Sequence, residues 1–97
     1  MSVSSPRIEG FLIDDENEAK FAAHGITSMQ VVQVLESEYL RIRNRRRRRG
    51  LYLILGRDYS GVCIATPIEA THDPAIWRPI TAWPCKGSER ERLERSA

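Results

Sequence analysis

After Ser37 the spacing of apolar residues changes period, and that change limits this chain to a fold with separate helical and extended parts. Before it, Val31, Val34 and Leu35 recur at i, i+3 and i+4, with Met29 and Val32 beside them, the stripe of a half-buried helix. After it, Leu40 and Ile42 alternate with Tyr39, Arg41 and Arg43, as on a strand with one face covered. Further strands follow. Leu51-Tyr52-Leu53-Ile54-Leu55 is apolar on both faces and predicts a central strand. Val62-Cys63-Ile64-Ala65-Thr66 predicts the next, with Pro67 marking a bulge or lost pairing. Trp77 to Trp83 predicts a last strand that must be irregular or at an edge around Pro79.

The segment before residue 37 carries helix signals. Phe11-Leu12-Ile13 reads as a short first strand. Asp14 or Asp15 then caps a helix through Asp15-x-x-Glu18, and Gly25, after His24, suits its left-handed end. Thr27-x-x-Gln30 is a capping box for a second helix. Ser88-x-x-Glu91 offers a cap for a third, but two turns of alternating charge are marginal alone. The expected architecture is α+β: two N-terminal helices packed on one face of a mainly antiparallel four- to five-stranded sheet. At 97 residues it is a single domain, 1–97, with a core over about 9–84 and flexible ends at 1–7 and 86–97.

Charge is divided between the two parts. From Glu9 to Glu38 there are seven acids against Lys20 alone; from Arg41 to Arg57 there are eight arginines and no acid. Arg45, Arg46, Arg47, Arg48 and Arg49 are consecutive and make a turn together with Gly50. The net charge of +2 conceals this polarity. So dense a cation cluster attracts polyanions, which makes nucleic acid the leading partner class, with Arg41 and Arg43 extending the patch. A solvated hairpin tip is the simpler alternative.

Several functional classes are excluded. No Ser/His/Asp set, phosphate-cradling glycine loop or Rossmann fingerprint is present, and no cofactor is implied. His24, His72, Cys63 and Cys85 make no metal-ligand spacing, so no metal site is expected. No apolar run approaches the roughly 20 residues that span a bilayer, and the first residues lack a signal-peptide core. The default location is cytoplasmic. Cys63 then reads as a buried thiol, a disulfide being disfavoured in a reducing compartment.

Four stretches resemble the BrnT-like branch of the RelE-type ribonuclease toxins: Asp14 to Lys20, Ala23 to Thr27, Leu51 to Arg57 and Trp77 to Ala82, with a charged tail around Glu89 to Arg92. The resemblance implies a RelE-like fold and a toxin-like, metal-independent endoribonuclease held inactive by a cognate antitoxin. In such an enzyme the RNA 2′-hydroxyl attacks the adjacent phosphate, while cations stabilise the phosphorane and a base takes the proton. The resemblance places Arg57 and Arg78 as phosphate ligands and Glu69 as proton acceptor. An ordinary Arg–Glu cross-strand pair is the competing reading. Where related sequences continue from Ser-Ala into a basic residue, this chain has Thr81-Ala82-Trp83. Trp83 either packs in a core or stacks on a nucleobase, worth about 1–3 kcal/mol per base. Two further readings stand beside the ribonuclease: a non-catalytic nucleic-acid-binding or protein-interaction module, and a homo-oligomer joined by its opposite charges.

Overall fold

Asp14 opens the first helix with a reciprocal cap. Its carboxylate accepts the Asn17 backbone N–H at 2.8 Å, and Asn17 Oδ1 accepts the Asp14 N–H at 2.9 Å. The box therefore lies one residue ahead of the expected Asp15–Glu18 pair. Asn17 suits this position better than a glutamate because its amide also reaches the core. Fully buried, it donates to the carbonyls of Leu12 and Pro79 at 2.9 and 3.0 Å. A short amide can satisfy three buried groups at once, where a longer carboxylate has no donor to offer. The Thr27–Gln30 box forms as its spacing predicts. Gly25, at φ 74°, ends the first helix in the left-handed region that suits glycine.

The computed structural model describes residues 8–96, so the expected flexible segment 1–7 lies outside the described residues. The elements are β1 (Gly10–Phe11), α1 (Asp15–Ala23), α2 (Ser28–Val34), β2 (Leu40–Arg43), β3 (Tyr52–Arg57), β4 (Cys63–Ala70), β5 (Ile76–Pro79), β6 (Trp83–Pro84) and α3 (Gly87–Ser96). The fold is α+β, with three helices and a mixed six-stranded sheet. Its order is β1-β5-β4-β3-β2, with β6 also pairing β4. Every pairing is antiparallel except β1 with β5. No helix among the described residues is long and apolar enough to cross a membrane.

Pro67 does not interrupt β4, contrary to expectation. It pairs with Leu53 in unbroken register, and its carbonyl accepts the Ile80 N–H at 2.9 Å. A strand residue directs its N–H and C=O to the same neighbour, so the missing donor faces the Ile80 side and spares the β3 ladder. The irregularity falls instead on the last strand. It divides into β5 and β6 around Ile80–Ala82, which raises the strand number above the four or five expected.

Alternation along β3 and β4 divides the core in two. Ile54, Ile64 and Ile68 share one buried cluster with Phe21 of α1 and Val31 and Val34 of α2. Leu55, Cys63 and Ala65 share the other with Cys85 and Leu93 of α3. Adjacent strand residues face opposite ways, so the two clusters lie on opposite faces of the sheet. Residues 87–96 thus form a longer helix than the two marginal turns expected. Burial of Leu93, 5% exposed, contributes what local propensity lacks.

The cysteines are paired, correcting the expectation of a buried thiol. Cys63 and Cys85 form a disulfide with their Cα atoms 5.3 Å apart. Pairing of β6 with β4 brings them opposite each other, and the Cys85 N–H donates to the Cys63 carbonyl at 2.9 Å. The bond closes a 22-residue separation, which corresponds to about 3 kcal/mol of loop entropy removed from the unfolded chain. Urea unfolding with and without dithiothreitol should differ by about that much. Equal stability in both conditions would deny the bond a structural role.

Candidate nucleic-acid interface

The three residues expected to act together do not meet. Arg57 ends β3 opposite Cys63, whereas Glu69 lies six residues further along β4, opposite Arg78 of β5. All three belong to one face by register, but six residues at about 3.3 Å each put roughly 20 Å between Arg57 and the pair. Arg57 instead donates to the Gly61 carbonyl at 3.3 Å and lies 4.0 Å from Glu94.

Arg78 and Glu69 do pair, inside a larger ion network. Arg78 donates to both Asp14 oxygens at 2.9 and 3.2 Å and to Glu69 Oε2 at 3.3 Å. Arg49 grips Glu69 from the other side, with Nε to Oε1 at 3.3 Å and Nη2 to Oε2 at 3.0 Å. Burial opposes the Arg78 charge, but the hydrogen bond and field of Asp14, then Glu69, outweigh it and raise its pKa. The Asn17 N–H, then Arg78, hold the Asp14 carboxyl below its usual range despite the cost of desolvation. With its folded pKa lowered, the stability Asp14 contributes is present at neutral pH and is lost as pH falls below the ordinary 3.8. The network also fastens the cap of α1 to β5.

The arginine run forms the β2–β3 loop, as expected. Asn44 organises it: its Nδ2 donates to the carbonyls of Arg49 and Gly50 at 3.0 and 3.1 Å, and its Oδ1 accepts the Arg45 N–H at 2.9 Å. Gly50 is required at the close of the loop. Its φ is 101°, and a Cβ there would meet Ile80 Cδ1 at 3.0 Å.

Between this loop and α3 lies a groove of about 920 Å³. One wall carries Arg43, Arg45, Arg48 and Arg49; the other carries Lys86, Arg92 and Arg95. Ile42, Leu53 and Trp83, all half-buried, form an apolar floor above the fully buried Leu55. Arg49 is engaged with Glu69, but among the described residues the other six cations are in no ion pair. The one acid in the lining, Glu89, accepts Trp83 Nε1–H at 3.1 Å and the Lys86 N–H at 2.8 Å. Trp83 is further held by His24, whose ring stands edge-on with centroids 6.4 Å apart. These six cations against one acid in the described lining give the groove a net positive field that attracts anions.

The expected nucleic-acid residues divide accordingly. Arg43, Arg45, Arg48, Arg49 and Trp83 line the groove. Arg41 does not: its guanidinium lies 4.8 Å from the centre of the Tyr52 ring. Arg46 and Arg47 are exposed in the loop but outside the lining. Sequence reasoning missed the second wall. The available signal was the spacing of Ser88, Arg92 and Arg95 at i, i+4 and i+7, one face of a helix. No group of three His, Cys, Asp or Glu side chains among the described residues is arranged to hold a metal ion. No protein-family model matches this chain, and no curated protein matches it in sequence.

Proposed function

We propose that this chain is an RNA-binding protein that takes its ligand in the groove between the arginine loop and α3. The observation that carries the reading is the set of six cations on two facing walls that are in no ion pair among the described residues. Phosphates fit those walls: guanidinium groups bind phosphate oxygens in pairs and keep their charge at every physiological pH. The apolar floor with Trp83 offers stacking area to bases, which a purely electrostatic surface would lack. Titrating a fluorescently labelled single-stranded RNA with the purified protein should give a saturable rise in anisotropy. An unchanged signal up to millimolar protein would refute the proposal.

A second reading keeps the toxin-like endoribonuclease of the RelE type, silenced by an antitoxin. It is favoured by one contact, Arg49, which lines the groove and grips Glu69 beside Arg78. RNA in the groove would bring a phosphate near that pair. Glu69 would take the 2′-hydroxyl proton as the 2′-oxygen bonds to phosphorus, and Arg49 and Arg78 would stabilise the phosphorane. The P–O5′ bond would then break, water protonating the departing 5′-oxygen to leave a 5′-hydroxyl and a 2′,3′-cyclic phosphate. Arg57 has no part in this scheme, because it ends β3 roughly 20 Å from the pair. The RelE-like assignment itself rests on the sequence resemblance and on α1 and α2 sharing one core cluster. Incubating labelled RNA in EDTA distinguishes the readings. Binding alone leaves the RNA intact, whereas cleavage abolished in Glu69→Gln would establish the ribonuclease.

A further inference from the structure

Two features take no part in the groove. One is the loop tip, Arg46 and Arg47, exposed and in no ion pair among the described residues. The other is an exposed apolar patch where α2 meets the β3–β4 turn. Met29 is 67% exposed, Val32 40% and Tyr59 70%. Met29, Val32 and Gln33 recur at helical spacing on α2, and Glu36 follows at the next turn.

Tyr59 is fixed against this stripe. Its N–H donates to Gln33 Oε1 at 3.0 Å, and its hydroxyl donates to Glu36. Gln30 clamps the same turn, donating to Asp58 Oδ2 at 2.9 Å. The patch is acidic at both ends: Glu36 closes one, and Glu18, which accepts the Ser28 hydroxyl at 2.6 Å, closes the other. An exposed methionine and a rigidly held tyrosine between carboxylates make a surface suited to a basic partner with long side chains.

We infer that a second copy of this chain docks here through its loop tip. The guanidinium of Arg46 or Arg47 lies over the Tyr59 ring and pairs with Glu36, while the aliphatic stems cover Met29 and Val32. The chain already uses this pairing internally, with Arg41 over Tyr52. Charge selects the occupant: the segment before residue 39 is acidic, and the loop is purely basic. Tip and patch sit at opposite ends of β3, the loop entering it and the Tyr59 turn leaving it. They are therefore about 20 Å apart by strand rise and cannot satisfy each other within one copy. The contact joins two different surfaces, so each docked copy still presents a tip or a patch through which a further contact forms.

Sedimentation equilibrium of the nuclease-treated full chain tests this. From micromolar to millimolar protein, the weight-average mass should rise above that of one chain, and added salt should bring it back. Tyr59→Ala, and Arg46→Ala with Arg47→Ala, should each stay at the mass of one chain, with thermal unfolding confirming that both remain folded. Mixed in equal amounts, the two variants should form a species of two chains and nothing larger, because one keeps the tip and the other the patch. A wild type that remains a single chain throughout, association that persists in either variant, or a mixture that does not pair would each overturn the inference.

Discussion

Replacing Arg92 and Arg95 together by alanine should weaken RNA binding about 25-fold at about 0.1 M salt. The figure follows from counterion release. On a single strand each phosphate contact contributes roughly 0.7 to the slope of log affinity against log salt, or about fivefold at that concentration. Two contacts multiply to about 25-fold and flatten the slope by about 1.4. The fold should survive the change. Both side chains are exposed, neither is ion-paired among the described residues, and alanine is the strongest helix former. Arg90→Ala is the matched control. It removes an arginine from the same helix but not from the groove, and should change affinity far less. Equal losses in the two variants would mean that net charge, and not the groove, governs binding.

The second large effect concerns stability. Asn17→Ala should destabilise the protein by about 3 kcal/mol, since three side-chain hydrogen bonds at about 1 kcal/mol each are lost. The bonds are those from Nδ2 to Leu12 and Pro79 and that from the Asp14 N–H to Oδ1. Pro79 is buried, so its carbonyl would be left without a donor in a dry environment. Asn17→Asp should be at least as damaging at neutral pH, because it sets a carboxylate against two carbonyl oxygens. Urea unfolding measures both. A loss of less than about 1 kcal/mol for the alanine variant would show that water replaces the amide, and that the link from α1 to β5 is dispensable.

What could be read from the sequence was local. The Thr27–Gln30 box, the stop at Gly25 and the alternation at Leu40 and Ile42 each depend on residues within a few positions of one another. Their geometry is set before any tertiary contact forms. The Asp14–Asn17 box was misplaced by one residue for a tertiary reason: Asn17 is chosen by carbonyls at Leu12 and Pro79, the latter 62 positions away. The disulfide was hidden for the same kind of reason, since only the β4–β6 pairing sets Cys85 opposite Cys63.

The candidate site was half legible. The register sets Arg57, Glu69 and Arg78 on one face, but the resemblance that grouped them carries no information about distance along a strand. The arginine loop announced one wall by its density of charge. The other wall is formed by α3, whose docking depends on Leu93 settling beside the disulfide. Alternating charge in that tail resembles a solvated helix until its neighbour across the groove is known.

The affinity for a single-stranded RNA should be measured against salt concentration between about 50 and 200 mM, the range over which phosphate contacts reveal themselves. Six groove cations predict a log–log slope of about −4. A slope near zero, or no binding at the lowest salt, would show that the two walls do not hold a phosphate backbone.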